Sequence, residues 1–259
     1  MANRDWVWGP IPRQFETITT GNRVLLVVRS DVAEFVDSQT FVPGHPSQLM
    51  SSFQGREQLR SVNLKNGETA LIRAYCHGGL FRNLTGKVFF TWPPRPFREL
   101  VITEEIRRRG IPTVEVYAAC VAPLWGPFYR GWLLTRELKQ AQDLWTAFQS
   151  GLVRVLGVEA VLAAVARTLK TLHRQGIYHR DLNVKNILVR AEPDGIKGYI
   201  IDFDKAKLLL GGLPAGLVRK NLNRLLRSIC KLDPRRQLVS ETHWNGFLSS
   251  YQAYEVGEA

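Results

Sequence analysis

Three cysteines, Cys76, Cys120 and Cys230, stand far apart in 259 residues and lack the short paired spacing of a zinc ligand set or a redox motif. A disulfide framework is thereby excluded, and the reduced thiols of a cytosolic protein are expected. Long uncharged runs are missing as well: no stretch approaches the ~18 apolar residues of a membrane span. The opening Met1–Trp6 has no apolar core of the secretion-signal type, so neither export nor membrane crossing is expected. Internal repeats and low-complexity tracts are also missing. Acidic residues are scarce, with 23 Asp and Glu against 35 Lys and Arg, leaving a net charge of +12. What is present is enough apolar sequence, 45% of residues, for a globular core in one large domain or two lobes. The excess charge could serve nucleic acid, an anionic membrane surface or a small anionic substrate, and composition does not choose among them.

Strand-like runs fill the first half. Arg23–Arg29 is a buried-strand pattern between charged ends, and Val62–Leu64 with Thr69–Tyr75 flanks an Asn-Gly turn, which predicts a hairpin. The proline-rich Trp92–Pro96 stops any regular element, after which apolar positions at Phe97, Leu100, Val101 and Ile106 predict a helix over 97–109, ended by Gly110-Ile-Pro112. Further strands are predicted at Val114–Val121 and Gly131–Leu138. Beyond them, Val161, Leu162, Val165, Leu169 and Leu172 follow a helical period over 158–174. The predicted organisation is a β-rich lobe over 1–137 joined to a helical lobe over 138–259, with the hinge at Glu137–Leu138.

The chemistry concentrates in one constellation. His179-Arg180-Asp181, with an Asn at position 186, an apolar Ile-Leu-Val strand, a turn at Pro193-Asp194-Gly195 and a strand carrying Asp202-Phe203-Asp204, matches the protein-kinase order H-R-D-x-x-x-x-N followed by a metal motif. The spacing suits phosphoryl transfer: Asp181 reaches the acceptor hydroxyl, Asn186 turns back to a magnesium ion, and Asp202 holds metal between the β- and γ-phosphates of ATP. The competing reading, a hairpin with incidental polar residues, leaves acceptor side chains flanked by apolar runs without a cation to offset them. His179 reads as a packing residue of the loop, not a base.

Tyr178–Leu188 together with Ile200–Lys207 resembles the lipopolysaccharide core kinases, and most closely their 3-deoxy-D-manno-octulosonic acid (Kdo) kinase branch. The family's loop variant at Asn183 and its Asp-Phe-Asp motif ending at Asp204 are both present, and the likeness runs from about residue 50 to 232. The resemblance implies a protein-kinase-like, two-lobed α+β fold and an ATP- and Mg2+-dependent phosphotransferase. Its implied acceptor is the 4-hydroxyl of Kdo on a lipid A precursor, met at the cytoplasmic face of an inner membrane. It places Arg73 where most kinases carry the phosphate-binding lysine and Glu99 as its partner; the alternatives are a structural Arg and a solvated helical Glu. Gly55 and Arg56 occupy the position of the glycine-rich lid, without its G-x-G-x-x-G pattern. The backbone of Glu137 and Leu138 would meet adenine, Lys185 either touches the γ-phosphate or stays solvated, and Asp204 either ligates a second metal or shapes the following turn. Rival readings are a heptose kinase of the same family, a protein or aminoglycoside-type kinase, and a pseudokinase acting as a lipid- or protein-binding scaffold.

Between Lys205 and Arg236, nine basic residues stand against Asp233 alone. Arg219, Lys220, Arg224, Arg227 and Lys231 share a helical period with Leu217, Val218, Leu222, Leu225, Leu226 and Ile229, which gives one basic and one apolar face. The basic face is either solvated or turned to anionic lipid and the charged groups of a lipid A substrate. A second basic cluster, Arg73, His77, Arg82 and Lys87, surrounds Gly78-Gly79. No nucleic-acid motif accompanies the charge, so nucleic acid is not expected as a partner.

Overall fold

The structure is a computed structural model that describes residues 10–20, 23–42, 48–49, 59–64, 66–75 and 88–254. Two compact units divide it: residues 10–104 with Val114–Glu137, and Glu105–Thr113 with residues 138–254. The segment Glu105–Thr113 precedes residue 138 yet groups with the second unit. Among the described residues no helix is long and apolar enough to cross a membrane.

The first unit is built on an antiparallel sheet of strands β1 (Phe15–Thr19), β2 (Leu25–Arg29), β3 (Gln48–Leu49), β4 (Leu59–Asn63), β5 (Thr69–Ala74), β6 (Val116–Pro123) and β7 (Tyr129–Arg136), ordered β1-β2-β6-β7-β5-β4-β3. Both faces of its centre are covered. Leu26 and Val28 point into one cluster with Val62, Ile72 and Leu134, while Val27 points into another with Val121, Leu133 and Leu100. This is why Arg23–Arg29 reads as a continuous apolar run instead of an alternating one. Leu100 belongs to helix α1 (Arg95–Arg108), which starts inside the proline-rich segment predicted to interrupt regular structure. Proline is tolerated in a first helical turn, where its missing N–H has no partner to lose, and the Arg98 N–H already donates to the Pro94 carbonyl at 3.1 Å. Gly131 lets the start of this helix approach the sheet, because a Cβ there would lie 2.5 Å from Pro96 Cγ.

In the second unit, short elements β8 (Gln142–Asp143), α2 (Leu144–Gln149) and α3 (Gly151–Leu156) precede α4 (Val158–Arg174), whose Val161, Leu162, Val165, Leu169 and Leu172 are buried at the predicted spacing. Gly176, at φ +74°, ends that helix in a left-handed turn; a Cβ there would fall 2.1 Å from the Gly211 carbonyl. The chain then enters β9 (Ile177–Tyr178), a loop closed by a short 3-10 turn at Val184–Asn186, and the hairpin β10 (Ile187–Glu192) and β11 (Gly195–Ile200), followed by β12 (Lys207–Leu208). Helices α5 (Ala215–Leu232) and α6 (Glu241–Ala253) complete the unit.

Candidate active site

The loop after β9 is held by apolar side chains at alternate positions. Leu182 and Val184 are buried, so Asp181, Asn183 and Lys185 are directed away from the core between them. The backbone of Asp181 is then fixed from both ends. Its N–H donates to His179 Nδ1 at 3.3 Å, and its carbonyl accepts from Asn183 Nδ2 at 2.9 Å and Asn186 Nδ2 at 3.0 Å. Its carboxylate is 53% exposed, and it forms an ion pair with Lys205 Nζ, 3.9 Å away. A carboxylate presented on an immobilised backbone is suited to meeting an acceptor hydroxyl.

His179 is the post behind this loop. It is 1% exposed, stacks at a tilt on Phe203 with ring centroids 5.2 Å apart, and donates from Nε2 to the Ile201 carbonyl at 3.0 Å. Because Nδ1 accepts from Asp181, the proton resides on Nε2 in a neutral ring. Burial lowers its pKa, outweighing the Ile201 carbonyl and the nearby Asp202 and Asp181 carboxylates, which favour the charged form. The sequence-based assignment of His179 to packing and hydrogen bonding agrees with this geometry.

A residue that sequence reasoning gave no role secures the post. Asn221 of α5 is fully buried; its Oδ1 accepts from the His179 N–H at 3.3 Å and its Nδ2 donates to the His179 carbonyl at 2.7 Å. The same Oδ1 accepts from His173 Nε2 at 3.1 Å, and Tyr251 Oη lies 2.8 Å from His173 Nδ1. Burial pushes the His173 pKa down to about 4, so this ring is also neutral at ordinary pH. The signal was available: Asn221, Leu225 and Ile229 lie four apart along the buried stripe of α5, and an amide on such a stripe needs partners.

Asn186 and Asp202 differ in their settings. Asn186 is buried, its Nδ2 is committed to the Asp181 carbonyl, and its own carbonyl accepts from the Ile201 N–H at 3.0 Å, tying the loop to the segment that carries Asp202. Among the described residues its Oδ1 accepts no hydrogen bond, which leaves an oxygen for a ligand. Asp202 does not sit on a strand, as the sequence predicts: β11 ends at Ile200, and Asp202 adopts φ +67°, a left-handed conformation that Asp tolerates better than most residues. Ile200 and Ile201 spend their N–H groups on the Pro112 and Asn186 carbonyls, so the ladder of the hairpin stops before the metal motif. An amide oxygen and a carboxylate are the hard donors magnesium takes. Two such donors leave the remaining ligands of a magnesium ion to phosphate and water; no cluster of three or more His, Cys, Asp or Glu occurs among the described residues. Asp204 is buried, while Lys185 and Arg180 are exposed.

In the sheet unit, Arg73 and Tyr75 share one face of the sheet, two residues apart, opposite Ala70 and Ile72. Arg73 Nη2 donates to Glu99 Oε2 at 2.5 Å, the Tyr75 hydroxyl donates to the same oxygen, and the guanidinium lies 4.8 Å from the Tyr75 ring centroid. The Glu99 side chain is 3% exposed against 28% for Arg73, so Glu99 is not the solvated helical residue that sequence reasoning kept as an alternative. The Glu137 N–H donates to the Thr69 carbonyl, and the Leu138 carbonyl accepts from Ala141. Gly55 and Arg56 lie outside the described residues, as do His77, Arg82 and Lys87 of the second basic cluster.

Comparison with known proteins agrees with the loop. The model of the lipopolysaccharide kinase (Kdo/WaaP) family matches residues 42–251. The chain is 32% identical over 214 residues to 3-deoxy-D-manno-octulosonic acid kinase of Pasteurella multocida (strain Pm70), covering 80% of this chain and 86% of that protein. It is 33% identical over 214 residues to 3-deoxy-D-manno-octulosonic acid kinase of Vibrio vulnificus (strain YJ016), covering 82% and 83%. A solved structure described as WaaP in complex with acyl carrier protein aligns at a TM-score of 0.50 over 78% of each chain, and at 18% identity it shows the fold alone, a kinase-like α+β fold. With a match across most of its length and an intact kinase loop at its centre, the chain belongs to the lipopolysaccharide kinase (Kdo/WaaP) family and is a phosphotransferase.

Proposed function

We propose that the protein transfers the γ-phosphate of ATP to the 4-hydroxyl of Kdo on a lipid A precursor, with magnesium, at the cytoplasmic face of the inner membrane. The observation that carries this reading is the exposed Asp181 carboxylate on a backbone fixed by His179, Asn183 and Asn186. The names of the relatives from Pasteurella multocida and Vibrio vulnificus support Kdo as the acceptor.

Asp181 orients the acceptor hydroxyl and receives its proton as the new phosphate ester forms, while the bond from the γ-phosphorus to the bridging oxygen breaks and ADP leaves. Asn186 Oδ1 and the Asp202 carboxylate would hold the magnesium ion, which when bound would neutralise charge on the phosphates. Arg73 contacts the phosphates, and Glu99 keeps its guanidinium in place; Gly55, Arg56 and Lys185 add contacts to the nucleotide, and the backbone at Glu137 and Leu138 meets adenine. Glu99→Gln removes the counter-charge of a buried pair, so the Kd for ATP is expected to rise about tenfold, equivalent to about 1.4 kcal/mol. Isothermal titration reads this directly, and an unchanged Kd would leave the pair a purely structural one. The exposed Arg219, Lys220, Arg227 and Lys231 of α5 face the anionic surface, each contributing about 1 kcal/mol near such a leaflet. Asp233, the one acid of that stretch, is buried and spends its carboxylate on the backbone that follows the helix. Burial works against its charge, but the N–H groups of Val239, Gln237 and Leu238 hold its carboxyl below the ordinary range.

The test is phosphate transfer from labelled ATP to a Kdo-bearing lipid A precursor, run beside a heptose-bearing acceptor. Transfer to the Kdo acceptor is the expected result. Transfer to the heptose acceptor alone would keep the mechanism and replace the sugar, and nucleotide binding without transfer to either would point to another acceptor or to a scaffold.

A further inference from the structure

The sheet unit exposes aromatic side chains at one place where nothing within the fold requires them. Strands β6 and β7 are joined by Leu124-Trp125-Gly126-Pro127-Phe128, and the segment before α1 runs beside this hairpin through a bridge of Phe89 with Tyr129. Phe90 is 67% exposed, Trp125 69% and Trp92 91%. Phe90 and Trp125 are not scattered singly: Trp125 packs on Phe128 with ring centroids 4.2 Å apart, and Phe90 meets the same Phe128 ring at 5.8 Å. The turn that presents them is pinned. The Leu124 N–H donates to the Phe128 carbonyl at 2.9 Å, and the Phe128 N–H to the Trp125 carbonyl at 3.1 Å.

An exposed, contiguous aromatic cluster on a hydrogen-bonded turn marks a contact surface. The surrounding charge selects the partner. Residues 88–98 and 121–131, the two segments that carry the cluster, contain Arg95, Arg98 and Arg130 and no Asp or Glu; Arg130 is exposed beside the turn, and Arg95 lies over the Phe89 ring at 4.7 Å. Trp and Phe beside Arg is the composition of the boundary between headgroups and acyl chains, where aromatic rings settle and arginine meets lipid phosphate. We propose that the Phe90–Trp125–Phe128 cluster at the β6–β7 turn is a membrane-interface wedge that inserts into an anionic phospholipid bilayer. The inference rests on the membrane-associated acceptor of the proposed function and adds the element that enters the lipid.

The experiment uses the full chain and vesicles of phosphatidylcholine containing phosphatidylglycerol, with bound protein read by cosedimentation. Phe90→Ser combined with Trp125→Ser is expected to lower partitioning at least tenfold, with thermal stability and transfer to a detergent-dispersed acceptor unchanged. Trp125→Phe keeps an apolar ring, so it is expected to bind while losing part of the tryptophan quenching that brominated lipids cause in the unaltered protein. If the unaltered protein ignores the vesicles, the membrane reading falls together with the wedge. If the double variant binds as well as the unaltered protein, and Arg219→Glu with Arg227→Glu weakens binding, the membrane reading stands and the wedge is overturned. Self-association that the double variant abolishes, with vesicle binding unaffected, would instead assign the cluster to contacts between copies of the chain.

Discussion

Asp181→Asn is expected to lower kcat by about 10²- to 10⁴-fold while leaving the fold and ATP binding nearly unchanged. Each part of that result has a separate basis. The carboxylate takes no hydrogen bond from the described residues, and its ion-pair partner, Lys205, is 3.9 Å away with both side chains more than half exposed. Such a pair contributes about 0–1 kcal/mol, so stability should hardly move. The interactions that shape the loop use the Asp181 backbone N–H and carbonyl, which asparagine keeps. What disappears is the negative oxygen that accepts the hydroxyl proton. Labelled-phosphate transfer, ATP titration and thermal unfolding of the variant check the three parts together. Retained transfer would remove Asp181 from its proposed role, and a large fall in melting temperature would show a structural duty that the geometry does not contain.

Much of this arrangement is legible in the sequence because local rules govern it. The helical period over 158–174 returns as α4 with the same ends, since its apolar stripe is its burial stripe. The order His179, Asp181, Asn186, Asp202 is readable because phosphoryl transfer restricts which oxygen donors stand at which intervals along a loop and hairpin. The start of α1 was less legible, because a proline that breaks a helix interior is harmless at its first turn. Asp202 reads as a strand residue because Tyr199-Ile200-Ile201 is β-branched and aromatic, but the ladder runs out of partners at Ile200 and the chain turns left-handed. Arg73 and Glu99 stand 26 positions apart, and their pairing depends on a helix folding onto a strand face, which no local pattern encodes. Asn221 was hidden differently: the basic residues of α5 draw attention to its outer face, whereas the informative residue is the polar one on its inner stripe.

That inner residue yields the largest expected effect on stability. Asn221→Leu fits the apolar stripe of α5 by pattern, and a reading from hydropathy alone would call it neutral. The hydrogen bonds say otherwise. The side-chain amide serves the His179 N–H, the His179 carbonyl and His173 Nε2 at once, all of them buried. Leucine leaves these groups without partners, and each stranded polar group costs about 1–3 kcal/mol. A loss of about 3–5 kcal/mol follows, on the order of a 10 °C fall in melting temperature for a chain of this size. The damage should also reach the chemistry, because His179 receives the Asp181 N–H, and a shifted His179 releases the backbone that aims the carboxylate. Asn221→Asp separates the two effects. It keeps the oxygen that accepts from His179 and His173, and its carboxyl, buried without a cation beside it, is expected to stay protonated and donate to the His179 carbonyl, so it should recover part of the stability that leucine loses. The measurement is thermal unfolding of both variants beside kcat and KM below their melting temperatures. A leucine variant as stable and active as the unaltered protein would show that α5 holds the loop by apolar packing and that the amide contributes nothing.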